Sequence, residues 1–79
     1  MKKRSNSEFS QKLSLKIRLE RQKRKLSQEQ LALSSELNKN TINKVENGEV
    51  SPSIDTLEKI AGVFGMTFNE LVDVSKVSL

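Results

Sequence analysis

Residues 26–48 read LSQEQLALSSELNKNTINKVENG, and this stretch decides the fold. It holds two short helical patterns, each opened by its own polar cap. The first runs from about Gln28 to Ser35. Ser27 is its N-cap, and Gln30 stands three residues on, the S-x-x-Q form of a capping box. Leu31 and Ala32 face inward, and Ala32 is small enough to let another helix approach closely. Glu36, Leu37 and Asn38 make the connection, with Leu37 plugging the turn. Asn38 caps a second helix over about Lys39 to Glu46, whose inward residues are Ile42 and Val45. Asn47-Gly48 ends it, Gly48 supplying a left-handed conformation.

Two short helices joined by about three residues are the layout of a helix-turn-helix, in which the first braces a second laid into the DNA major groove. The outward side of the second helix is unusually polar for so short an element. The reading points to a sequence-specific DNA-binding protein and away from an enzyme.

On the N-terminal side, residues 1–8 are read as a basic flexible arm. A helix then runs from Phe9 or Ser10 to Arg24, with Phe9, Leu13 and Ile17 on one face at i+4 spacing and Leu15 and Leu19 in a second stripe. On the C-terminal side, Glu49 to Pro52 is a loop and Ser53 caps a fourth helix, about Ile54 to Phe64. Its apolar face is Ile54, Leu57, Ile60, Ala61 and Phe64. Gly65 stops it. Thr67-Phe68-Asn69-Glu70 is a second capping box, T-x-x-E, opening a fifth helix to about Val72. The tail from Val72 to Leu79 partly alternates, as a short strand or a frayed end would. The domain is drawn as residues 9–73, with 74–79 a tail that offers a dimer contact.

Composition narrows the function classes. Seventy-nine residues make one small domain with a modest core, so partner subunits bear on its stability. The absence of cysteine leaves no disulfide and no thiolate site, and the absence of histidine removes the commonest general base and metal ligand. No catalytic, cofactor or metal site is expected. No run of about 18 apolar residues exists to span a membrane. Met1-Lys2-Lys3-Arg4 starts as a signal peptide does, but Ser5-Asn6-Ser7-Glu8 is polar, so secretion is rejected and a soluble, cytoplasmic protein is expected. Charge is uneven: residues 1–26 carry a balance of +8 and residues 27–79 a balance of −4. A basic end suits a polyanion such as double-stranded DNA, solubility being the plainer reading of the same run.

The chain resembles the Xre family, the lambda-repressor and Cro type of helix-turn-helix. The likeness is carried by Leu26-Ser27-Gln28-Glu29, Leu31-Ala32, Thr41-Ile42, Val45-Glu46-Asn47-Gly48, Pro52-Ser53, Thr56-Leu57, Ile60-Ala61, Gly65-Met66-Thr67 and Glu70-Leu71. It implies an all-α, compact five-helix domain, commonly a homodimer on a palindromic operator. It implies base reading by Lys39, Asn40, Asn43 and Lys44, and backbone contact or bracing by Gln28, Thr41 and Asn47. Lys can donate to guanine O6/N7, and Asn can pair bidentately with adenine N6/N7. Residues 40, 43, 44 and 47 also share one face, opposite Ile42 and Val45. Arg21 and Glu46 match a family salt bridge between helices 1 and 3, the other reading being two independent surface charges.

Three positions depart from the family. Glu36 stands where Gly or Asn is usual in the turn, Ser35 where many members are apolar, and Glu20 where helix 1 has Leu or Ile. The leading functional reading is a homodimeric transcription regulator, of the kind found among phage repressors and restriction–modification controllers. The second is an antitoxin-like or bridging protein, with Val72, Val74, Val77 and Leu79 as an apolar edge for a protein partner. Asp55 and Glu58 form the nearest thing to a catalytic carboxylate pair, but acids near a helix start serve its dipole.

Overall fold

The computed structural model of the chain describes residues 7–79. It contains α1 (Glu8–Lys23), α2 (Gln28–Ser35), α3 (Lys39–Glu46), α4 (Ile54–Phe64) and α5 (Phe68–Val72). No strand occurs among the described residues, and the fold is the all-α, five-helix one. Residues 1–6 of the basic arm lie outside the described residues. Ser7 and Glu8 belong to α1 itself: Ser7 Oγ accepts the Ser10 N–H at 3.1 Å.

Every helix opens on a short polar side chain. Ser7, Ser27, Asn38, Ser53 and Thr67 each accept a backbone N–H of the first turn. In both capping boxes the reciprocal bond also forms, Gln30 to the Ser27 N–H at 2.8 Å and Glu70 to the Thr67 N–H at 2.9 Å. A free helix end leaves several N–H groups unpaired, and each cap is worth about 1 kcal/mol.

The helix ends are less uniform. Gly65 closes α4 in the left-handed region, as expected, whereas α1 and α2 turn through Lys25 (φ 59°) and Glu36 (φ 60°). A residue with a Cβ is strained there by roughly 1–2 kcal/mol. Lys25→Gly and Glu36→Gly are therefore each expected to raise stability by about 0.5–1 kcal/mol, net of glycine's extra freedom when unfolded. Urea unfolding measures this, and a loss of stability would contradict it.

The core is Leu13 and Ile17 of α1, Leu31 and Ala32 of α2, Ile42 and Val45 of α3, Leu57, Ile60, Ala61 and Phe64 of α4, and Leu71 of α5. α2 packs on α3 and α4, α1 on α3 and α5, and α4 on α5. Two expected core residues are not there. Phe9 is 50% exposed and Ile54 is 66% exposed. Both sit in the first turn of their helices, where the apolar period runs on past the reach of the bundle. Leu15 is half-buried and Leu19 is exposed. The tail forms a turn, Val77 N–H to Val74 carbonyl, and no strand. Of the expected apolar edge, Val72 and Val74 pack against the core, whereas Leu79 is exposed. Lys16 Nζ donates to the carbonyls of Glu70 and Asp73, closing the end of α5 with a cation.

The family departures have local solutions. Ser35 is buried, and its hydroxyl donates to the Leu31 carbonyl at 2.6 Å. Glu20 binds Arg24 at 2.6 Å, and the Arg24 guanidinium lies 4.7 Å from the Phe64 ring centre while Nη2 donates to the Phe64 carbonyl. An ion pair laid on an aromatic face thus fills the place of an apolar side chain. The Arg24 hydrogen bond holds the Glu20 carboxyl below its ordinary 4.5, burial opposing and Lys23 assisting. A depressed carboxyl adds stability that is complete above the ordinary value and vanishes as pH falls through the folded one. Wild type and Glu20→Gln should therefore differ in unfolding free energy above pH 4.5 and converge below it. A pH-independent difference would contradict this origin.

Candidate nucleic-acid interface

The outward surface of α3 follows from its inward one. Ile42 and Val45 are fully enclosed, and a helix of this length then turns Lys39, Asn40, Asn43 and Lys44 to the outside, all exposed. Asn47, just past the helix end, is exposed as well, and Thr41 is half-buried. The side chains of Lys39, Asn40 and Lys44 make no hydrogen bond or ion pair among the described residues. Three free donors thus stand on one short helix.

The helix is held by an ion pair beneath it. The Glu46 side chain is completely buried and that of Arg21 is 13% exposed. Arg21 Nε donates to Glu46 Oε2 at 2.7 Å and Nη2 to Oε1 at 3.0 Å, a two-pronged contact between α1 and α3. Arg21 Nη1 donates to the Leu26 carbonyl at 2.7 Å, fixing the start of the α1–α2 connection. Arg18 adds a bond to the Glu46 backbone carbonyl at 3.3 Å, at the negative end of α3.

Gln28, the first residue of α2, joins this centre to the surface. Its Nε2 donates to Glu46 Oε1 at 3.1 Å, and its Oε1 accepts from Asn43 Nδ2 at 3.2 Å. Asn43 Oδ1 accepts from Asn47 Nδ2 at 3.2 Å, and Asn47 Nδ2 also donates to Glu49 Oε2 at 3.3 Å. The structure therefore brings Arg21, Gln28, Asn43, Glu46 and Asn47 into one network. It leaves Lys39, Asn40, Thr41 and Lys44 outside it. Arg18 and Glu49 also belong to the arrangement, and neither spacing nor the family resemblance singles them out. Glu49 follows the glycine that ends α3, a position whose direction only the folded loop defines.

Among the described residues no group of His, Cys, Asp or Glu is placed to hold a metal ion. Asp55 lies in the first turn of α4 and faces Lys59 at 3.9 Å. A hollow of about 840 Å³ between α1 and the tail includes no residue of α2 or α3. Among the described residues no helix is long and apolar enough to cross a membrane.

A polar helix held over a buried ion pair, with a capped helix bracing it, has a counterpart in known sequences. A model of the helix-turn-helix family HTH_3 matches residues 17–71. The chain belongs to this family, the Xre type of helix-turn-helix. Members are DNA-binding transcription regulators and not enzymes, and the chain has their lambda-repressor-like fold. This helix-turn-helix protein is 39% identical over 66 residues to the cryptic phage CTXphi transcriptional repressor RstR of Vibrio cholerae. That match takes in 84% of the chain but only 60% of RstR. Among solved structures, the restriction–modification controller C.AhdI of Aeromonas hydrophila superposes with a TM-score of 0.74 at 31% identity, covering 77% of this chain and 92% of that one. The controller C.Esp1396I bound to a 25 base pair operator site gives 0.75 at 27% identity, over 85% and 92%.

Proposed function

We propose that this regulator is a repressor that binds a palindromic operator as a homodimer, with α3 in the major groove. The observation that carries the reading is the outward face of α3, where Lys39, Asn40 and Lys44 are exposed and unengaged on a helix fixed from below by Arg21 and Glu46. Free donors on a rigid helix suit base edges, because their orientation is set before DNA arrives. Lys39, Asn40, Asn43 and Lys44 are assigned to bases, and Gln28, Thr41 and Asn47 to the backbone or to bracing. The N–H groups at the start of α2, beside Gln28, face a phosphate in this arrangement. The likeness to an operator-bound controller and to a phage repressor supports the same reading.

A two-fold dimer sets the two α3 helices about 34 Å apart, one turn of DNA. The domain measures 34 × 26 × 21 Å, so two copies side by side span that distance. Its own concentration is the control variable in this reading, acting through dimerisation and autoregulation. The test is a gel shift on the DNA upstream of its own gene, against random DNA of equal length, at two salt concentrations. A discrete complex that survives salt abolishing random binding is the expected result. Equal, salt-sensitive binding to both would overturn specific autoregulation. Deleting residues 2–4, three cations in the sequence, should weaken binding to all DNA alike and flatten its salt dependence.

A further inference from the structure

We infer that Glu46 and Gln28 are positioning residues that set the base preference of Asn43, by fixing which way its amide faces; this rests on the DNA-reading role of α3. A buried carboxylate paired with Arg21 can only accept, so Gln28 must turn its amide nitrogen to Glu46. Its carbonyl oxygen then faces Asn43, which must answer with its own nitrogen. The Asn43 oxygen is left toward Asn47, whose nitrogen supplies the donor and also reaches Glu49. The order runs in one direction from a buried charge to an exposed amide.

An amide has two N–H groups and two acceptor positions. Asn43 uses one of each in the network and keeps one of each. Their order is set: nitrogen on the Gln28 side, oxygen on the Asn47 side. Adenine offers N7 to a donor and N6 to an acceptor, so it matches such an edge in one orientation, whereas guanine presents two acceptors. An amide free to turn over would accept either order. The polarity imposed by Glu46 thus becomes a preference for adenine at one base pair in each half-site.

The experiment is selection from a random duplex pool by full-length wild type, Gln28→Met and Glu46→Gln, with melting curves alongside. Gln28→Met leaves the Arg21–Glu46 pair intact and serves if Glu46→Gln does not fold. Wild type should yield a half-site motif. Gln28→Met should yield the same motif with one position relaxed, its preference for adenine reduced about fivefold or more, and the rest unchanged. A purely structural or phosphate-anchoring role predicts a uniform loss at all positions, or an unchanged motif at lower affinity, and either result overturns the inference. If wild type selects no motif, the DNA-reading role itself fails and the inference falls with it.

Discussion

Arg21→Ala is expected to destabilise the domain by about 3–5 kcal/mol, the cost of removing one partner from a buried pair. Glu46 has no access to solvent, and Arg21 supplies two of the donors that reach its carboxylate. A chain of 79 residues has a total stability of only about 4–12 kcal/mol. The melting temperature should fall by more than about 12 °C, at 4–8 °C per kcal/mol for a domain of this size. Replacing both partners by apolar residues, as in Arg21→Met with Glu46→Leu, should recover much of this, because no charge is then left buried alone. The double variant should nonetheless lose the base preference at the position read by Asn43, since Gln28 loses its acceptor. A loss under about 1 kcal/mol for Arg21→Ala would mean that the pair behaves as a surface contact.

Lys44→Ala and Asn40→Ala should each weaken operator binding by about 1–3 kcal/mol, roughly 5- to 150-fold, with little change on random DNA. Both side chains are exposed and make no hydrogen bond or ion pair within residues 7–79, so stability should move by no more than about 0.5 kcal/mol. Fluorescence anisotropy on operator and random duplexes, with melting curves, separates the two effects. Equal loss on both DNAs would assign these residues to phosphates instead of bases.

The starts of α2 to α5 could be read from the chain because a cap is a local device: Ser27 with Gln30, or Thr67 with Glu70, meet within one turn whatever surrounds them, whereas α1 starts at Glu8 on Ser7, inside the stretch read as the arm. Leu13, Ile17, Ile42 and Val45 were legible for a similar reason, each lying mid-helix where the period decides the face. Phe9 and Ile54 kept the period but lost the burial, since helix periodicity says nothing of where the bundle stops. Lys25 carries no mark of its positive φ, because a left-handed turn without glycine is imposed by the packing on either side. The polar arrangement shows the same division. Arg21 and Glu46 came from family resemblance, and the exposed face of α3 from spacing. The links from Glu46 through Gln28 and Asn43 to Glu49 join three parts of the chain, and only the assembled fold brings them within bonding distance.

The central claim is that α3 lies against the bases of a specific site, and directed DNA cleavage tests it most directly. The chain has no cysteine, so a single one at an exposed position takes an iron-chelate cleavage reagent cleanly. One conjugate is made on Lys39→Cys at the start of α3, another on Glu58→Cys on the outer side of α4, and both are bound to the operator. The account predicts focused cuts from the α3 conjugate at two places related by two-fold symmetry, about one helical turn apart, and little cutting from α4. Diffuse cutting from α3, or stronger cutting from α4, would contradict it.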